Sequence, residues 1–180
     1  MTNAHQTSSD RQLAAIVAAV AAAESCDAPI WLRGGWAMDF FIGKITRPHL
    51  DVDLFCWTAD VDRLTGSLVC HGFIPDAQAQ DELGRDYLYG DIEVQLRLLG
   101  RDDNERVVVP AGPYAGELWP QGMLDYPPGR IDDVTCPIIS PEAQIEIKEM
   151  MPVWVPGMPV RDKDQQDIAL LRRALAQAAK

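Results

Sequence analysis

The stretch Asp51-Val52-Asp53-Leu54-Phe55-Cys56-Trp57 constrains this chain more than any other. It opens by alternating carboxylate and apolar residues, and successive side chains of a β-strand point to opposite faces. The spacing predicts a strand with Asp51 and Asp53 on one face and Val52, Leu54 and Cys56 on the other. Two carboxylates about 7 Å apart on one strand face repel each other, which costs stability unless a cation neutralises them. The apolar residues between them point to a packed strand rather than a solvated one. Mg²⁺ takes oxygen ligands and keeps substrate phosphates in its shell, so it is the cation this pair suits.

The elements around this strand follow from periodicity and punctuation. Ser8, Ser9 and Asp10 offer N-caps for a helix over about residues 10–25, with Leu13, Ile16, Val17 and Val20 on one face. Pro29–Leu32 is a short apolar strand that ends at Gly34-Gly35. Trp36–Ile42 reads as a helix stopped by Gly43. Asp60 or Asp62 caps a helix through about Cys70, closed near Gly72. Asp86–Tyr89 and Ile92–Leu98 form two strands joined by the turn Gly90-Asp91. In the second, Ile92, Val94, Leu96 and Leu98 face in, while Glu93, Gln95 and Arg97 face out. Residues 100–135 are rich in Gly, Pro and Asp and read as an insertion loop with short β segments such as Val107–Val109, carrying Tyr114, Trp119 and Tyr126. Ser140-Pro141-Glu142 starts a helix to about Met150, Pro152–Pro159 breaks it, and Asp162 or Asp164 opens a last helix to about residue 178.

This order predicts an α/β (α+β) fold, a mixed sheet flanked by helices. It divides into residues 1–138, which include the insertion loop, and a short helical C-terminal part, 139–180. At 180 residues and 47% hydrophobic composition a real core can be buried. Cys26, Cys56, Cys70 and Cys136 form no CxxC pair and read as reduced core residues of a cytoplasmic protein. The polar N-terminus and the short run Ala14–Ala23 predict neither secretion nor a membrane anchor. The net charge of −11 argues against a polynucleotide partner. It leaves open a metal–nucleotide complex or a polycationic small molecule.

Two further features bear on the carboxylate pair. Glycines 34 and 35, between a strand and a helix, let the backbone approach a phosphate and leave helix N–H groups facing it. Glu93 is a third carboxylate on a neighbouring strand, able to share a metal or accept a hydroxyl proton; Asp91 is the alternative if that strand starts earlier.

Trp31-Leu-Arg-Gly-Gly-Trp-Ala-Met-Asp39, followed by Gly43-Lys-Ile-Thr-Arg47-Pro-His49-Leu-Asp51-Val-Asp53-Leu, resembles the small antibiotic nucleotidyltransferases, the lincosamide and aminoglycoside 2″-type enzymes. Their signature reads roughly W-x-x-GGW-x-x-D and then G-x-x-x-R-x-H-x-D-[IV]-D, and every fixed position is present. The likeness extends more loosely through Tyr87–Leu98, the Ile139-Ser-Pro-Glu-Ala-Gln segment and Arg161-Asp-Lys163-Asp164-x-x-Asp167. It implies the minimal nucleotidyltransferase fold. It also implies that Asp51 and Asp53 hold Mg²⁺ against the phosphates of ATP or another NTP, that Gly34 and Gly35 cradle the triphosphate, and that Arg47 or His49 lies near it. The third carboxylate, Glu93, becomes general base and metal ligand, and Lys148 and Lys163 become candidates for phosphate or structural contacts. The chain departs from the family where apolar-Asp-apolar-His is usual and Ile92-Glu93-Val94-Gln95 stands instead.

The expected reaction moves a nucleoside monophosphate, AMP from ATP, onto a hydroxyl of a small molecule such as an aminoglycoside or lincosamide antibiotic, by a monomer or a homodimer. A rival reading is a catalytically idle nucleotide- or partner-binding protein such as an antitoxin; the intact Asp51 and Asp53 weigh against it. Trp36 reads as a packing residue. Asp39 either caps its helix, pairs with Arg47 or touches ligand, and His49 either bonds a loop carbonyl or serves the nucleotide.

Overall fold

The computed structural model describes residues 3–178, with side chains from Ser8 to Ala178. Helix α1 (Asn3–Ser25) leads into strand β1 (Ile30–Leu32), helix α2 (Gly34–Ile42) and strand β2 (Val52–Trp57). Helix α3 (Val61–Cys70) is followed by the antiparallel run β3 (Ile74–Gln80), β4 (Gly84–Tyr89) and β5 (Ile92–Arg101). Strand β6 (Val107–Val108), the hairpin β7 (Gly129–Ile131) and β8 (Val134–Cys136), and helices α4 (Pro141–Trp154) and α5 (Asp162–Ala178) complete the chain.

The main sheet runs β1-β2-β5-β4-β3, with β6 added to β5. Strand β2 lies antiparallel to β1 and parallel to β5, and Asp53 pairs in register with Gln95. Val52, Leu54 and Cys56 are buried, as are Ile92, Val94, Leu96 and Leu98 on β5. This apolar face is covered by α1, whose Ile16 and Ala19 belong to the same core. Asp51 and Asp53 are only half-buried. The alternation read from the sequence is therefore the one that builds the sheet, although β2 begins one residue after Asp51. The mixed sheet flanked by helices is the expected fold.

Four expectations are corrected. Helix α1 starts at Asn3 rather than near residue 10, and Ser9 is buried within it; no glycine or proline between Asn3 and Asp10 interrupts the helix. Helix α4 does not break at Pro152 but runs through it to Trp154. The proline lacks an N–H, but the Val155 N–H still bonds the Met151 carbonyl at 2.9 Å, and Trp154 packs against the core. Cys70 is exposed rather than a core residue, because it closes the last turn of α3. Strand β3 was not expected: Ile74-Pro-Asp-Ala-Gln-Ala-Gln80 is exposed along most of its length and carries no apolar alternation, as befits an edge strand with a proline in it.

Cys56 and Cys136 are buried, and burial pushes both thiols up to about 12, so they stay protonated packing residues. The aromatic residues of the 100–135 region are partly structural: Trp119 packs edge-on against Phe55 with centroids 5.4 Å apart, and Tyr126 against Phe41 at 5.7 Å. Among the described residues no helix is long and apolar enough to cross a membrane.

Candidate active site

A cleft of about 310 Å³ opens where the polar edge of β2 meets the start of α2 and the facing walls of α4 and α5. Gly34, Gly35, Arg47, His49, Asp51, Asp53 and Lys148 all line it. Seven of the eight expected site residues therefore converge. Glu93 does not line the cleft: it is exposed, and its Oε1 accepts a bond from the Gln95 side chain at 2.7 Å. Asp91 is held by Arg11 at 2.5 Å on the surface.

Both glycines lie hard against side chains of the cleft. Gly34 has φ +66, and a Cβ there would stand 2.6 Å from the Asp53 Oδ2. A Cβ on Gly35 would run into the His49 ring and come within 3.0 Å of the Arg47 guanidinium. The carboxylate, the imidazole and the guanidinium thus press against bare backbone at the N-terminus of a helix, where amide N–H groups lack intrahelical partners. Gly35→Ala is expected to lower stability by about 1–3 kcal/mol through overpacking and to weaken ATP binding; thermal melting and ATP titration check both, and a wild-type melting curve would contradict the contact.

Asp51 and Asp53 share this mouth. Desolvation raises the Asp51 carboxyl above its ordinary range, repulsion from Asp53 and then Glu93 adds to it, and Lys163 partly offsets the shift. Among the described residues no three His, Cys, Asp or Glu side chains gather into a group that could hold a metal ion by themselves. A divalent cation at Asp51 and Asp53 would complete its shell with phosphate oxygens and water, the habit of Mg²⁺. Mutually repelling carboxylates beside a glycine cradle that any Cβ would fill are a donor set that fits such an ion.

Behind the cleft runs a chain of buried charges. Asp39, in α2, is fully buried and accepts from Thr46 and from the His49 Nε2 at 2.6 Å. Its partner is His49, not Arg47. Arg47 can only donate, so the 3.2 Å contact makes His49 Nδ1 the acceptor and leaves the proton on Nε2, facing Asp39. The His49 carbonyl also accepts from Gln12 at 3.0 Å. Trp36 is buried against the His49 ring, centroids 4.7 Å apart, and acts in packing.

Arg47 donates twice to Asp167 of α5, at 3.1 and 2.9 Å. Lys148 of α4 bonds the same Asp167 at 2.9 Å and Asp164 at 3.2 Å, and Arg161 bonds Asp164 at 2.6 Å. Burial works to raise both carboxyls, but the hydrogen bonds and charges of Arg47, Lys148 and Arg161 outweigh it and hold Asp164 and Asp167 below the usual carboxylate range. This cluster fastens α5 and α4 to the loop that precedes β2. The sequence placed Arg161 and Asp167 only in a loose resemblance, read Asp164 besides as a possible opener of the last helix, and assigned nothing to Arg33, whose guanidinium lies over the Phe55 ring at 4.6 Å. The signal for Arg33 was its place directly before the glycine pair.

Residues 15–171 match the family model described as aminoglycoside-2″-adenylyltransferase. A 35-residue segment is 49% identical to 2″-aminoglycoside nucleotidyltransferases of Escherichia coli and Klebsiella pneumoniae. That segment makes up 19% of this chain and spans 20% of the length of each of those relatives. Among solved structures, ANT(2″)-Ia in complex with adenylyl-2″-tobramycin superposes with a TM-score of 0.72 at 25% identity, covering 93% of this chain and 91% of that one. A lincosamide antibiotic adenylyltransferase bound to lincomycin shares the fold with a TM-score of 0.64 at 20% identity, covering 84% and 90%.

Proposed function

Because this chain belongs to the aminoglycoside-2″-adenylyltransferase family, a family of nucleotidyltransferase enzymes, we propose that it transfers AMP from ATP to a hydroxyl of a small-molecule antibiotic of the aminoglycoside or lincosamide kind. The observation that carries this reading is the meeting of Asp51 and Asp53 with the glycine pair in one cleft. The intact carboxylate pair also sets aside the idle, antitoxin-like reading.

The roles follow from position. The first-turn amides at Gly34 and Gly35 bind the triphosphate, since helix N-terminal N–H groups favour anions. Asp51 and Asp53 hold Mg²⁺, which when bound screens the charge that builds up on the phosphates. Arg47 and Lys148 line the cleft but are already paired with Asp167. They therefore set the shape and field of the donor site more than they lend it free charge. His49, locked between Asp39 and Arg47, supports the Gly35 amide by contact. The acceptor oxygen attacks the α-phosphorus, the bond from that phosphorus to the bridging oxygen breaks, and pyrophosphate leaves. Glu93 stands outside the cleft lining, but its charge acts on Asp51 at the mouth; with Oε1 engaged by Gln95, its Oε2 is the group we assign to receive the hydroxyl proton.

The test is a panel of aminoglycosides and lincosamides incubated with the protein, ATP and Mg²⁺. Pyrophosphate release is expected together with a mass gain of one nucleoside monophosphate on an acceptor hydroxyl. ATP binding without release from any member of a broad panel would instead favour a nucleotide-binding role.

A further inference from the structure

Gln144, in the first turn of α4, lines the cleft without belonging to the chain of charges behind it, and it is 2% exposed. Its Nε2 donates to the Ile139 carbonyl at 3.0 Å. That bond fixes the amide, because the opposite setting would turn oxygen onto oxygen. Among the described residues the Gln144 Oε1 is buried and has no hydrogen-bond partner. A buried acceptor without a donor has given up its water for nothing, and folded proteins keep few such groups without a use. Gln12, Trp36 and Trp119 also carry a buried polar atom without a partner among the described residues, but none of the three lines the cleft.

What this oxygen can meet follows from its chemistry. It only accepts, and so do the oxygens of an ionised phosphate, which it therefore repels. The nucleoside end of an NTP is different: its ribose hydroxyls and the amino group of adenine are donors. The surroundings of Gln144 suit that end as well. Ile147 and Met151 follow Gln144 at helical spacing on one face of α4, Ile139 precedes it, and all three line the cleft. They offer an apolar surface to a sugar or a base and nothing to a phosphate. Lys148, the cation on that helix face, is held by Asp164 and Asp167.

We propose that Gln144 reads the nucleoside of the donor nucleotide: its Oε1 accepts a hydrogen bond from a ribose hydroxyl or from the base amino group, which makes it a specificity-determining residue for the NTP. This rests on the nucleotidyl-transfer reading and deepens it. The glycine pair and the two carboxylates serve phosphates and a cation, which every NTP carries alike. Gln144 supplies the contact that depends on what the phosphates are attached to. A nucleotide without the matching donor leaves the oxygen unpaired in the complex, and that cost falls on its binding.

The test measures binding to the full chain by calorimetry, with Mg²⁺ and no acceptor. The probes are ATP, 2′-deoxy-ATP, 3′-deoxy-ATP and purine riboside triphosphate, which lacks the amino group. Wild type is expected to bind at least one of the three analogues about fivefold or more weaker than ATP, and the analogue that fails tells hydroxyl from amino group. Gln144→Met keeps the length of the side chain and removes the acceptor. It is expected to lose about fivefold or more in ATP affinity and to bind that analogue within about twofold of ATP. Thermal melting of the free protein reports the lost bond to Ile139 separately. Analogues that all bind wild type as ATP does overturn the proposal, and the oxygen then serves a buried water only; this arm needs no variant. Equal losses for ATP and every analogue in Gln144→Met overturn it too, since the side chain then acts through the fold. A wild type that binds no ATP at all overturns the nucleotidyl-transfer reading together with this one, a result distinct from both of the others.

Discussion

Asp53→Asn is expected to lower AMP transfer at least ~10³-fold, about 4 kcal/mol of transition-state stabilisation, while the protein stays folded. Asparagine keeps the shape of the side chain and removes one of the charges that crowd the cleft mouth, so no core contact is lost. The Asp53 backbone carbonyl still accepts from the Arg33 N–H at 3.0 Å, and the strand register does not depend on the carboxylate. The neighbouring Asp51→Asn should even stabilise the apo protein at neutral pH. A carboxyl raised by folding contributes its stabilisation only while protonated; that contribution is lost as pH rises past its ordinary range toward the folded value, so at pH 7 the ionised Asp51 is a cost. Pyrophosphate-release kinetics and thermal melting measure the two halves separately. Near-wild-type turnover by Asp53→Asn would end the metal assignment.

The second large effect belongs to a residue far along the chain. Asp167 is 1% exposed and is the shared partner of Arg47 and Lys148. Asp167→Ala strands two cations and is expected to destabilise the fold by about 3 kcal/mol, the lower end for breaking a buried pair, because Arg47 keeps 30% of its side chain in water. For a chain of this size that corresponds to a fall in Tm of about 6–12 °C. The effect has a pH signature. Asp164 and Asp167 are held below the ordinary carboxylate range, so their stabilisation is complete above the unfolded pKa, about 3.9, and disappears as pH falls through the lower folded values. Urea unfolding at pH 7 should separate wild type from Asp167→Ala clearly, and the gap should close below about pH 4. A constant gap down to pH 2 would mean that packing, not charge, makes the difference.

The part of this architecture written most plainly in the sequence is local. The alternation at residues 51–57 marks β2 because one face must be dry, and the alternation at 92–98 marks β5 for the same reason. Gly43, at φ +81, closes α2 because a left-handed residue ends a helix at little steric cost, and the Ser140 side chain caps α4 by accepting from the Ala143 N–H at 3.2 Å. What was not legible depends on distance. Strand β3 has no apolar face of its own, so only its partner β4 reveals it. Pro152 reads as a break but sits in a last turn that tertiary packing holds together. The partners of Asp39, Arg47 and Lys148 could not be assigned, because a charge signals its type in a sequence and not the element that will meet it. Glu93 was legible as an outward carboxylate; its bond to Gln95 was not.

The parallel register between β2 and β5 makes position 95 the neighbour of position 53, though forty-two positions of chain separate them. Gln95 also lines the cleft, so whatever occupies position 95 bears on the surroundings of Asp53 from the neighbouring strand. An uncharged amide there, donating to Glu93 on one side and accepting from Arg97 on the other, ties a carboxylate to a guanidinium through a single side chain. Exchange of that one residue for an imidazole or a carboxylate would re-set both bonds together, so two charged groups of β5 answer to a single side chain.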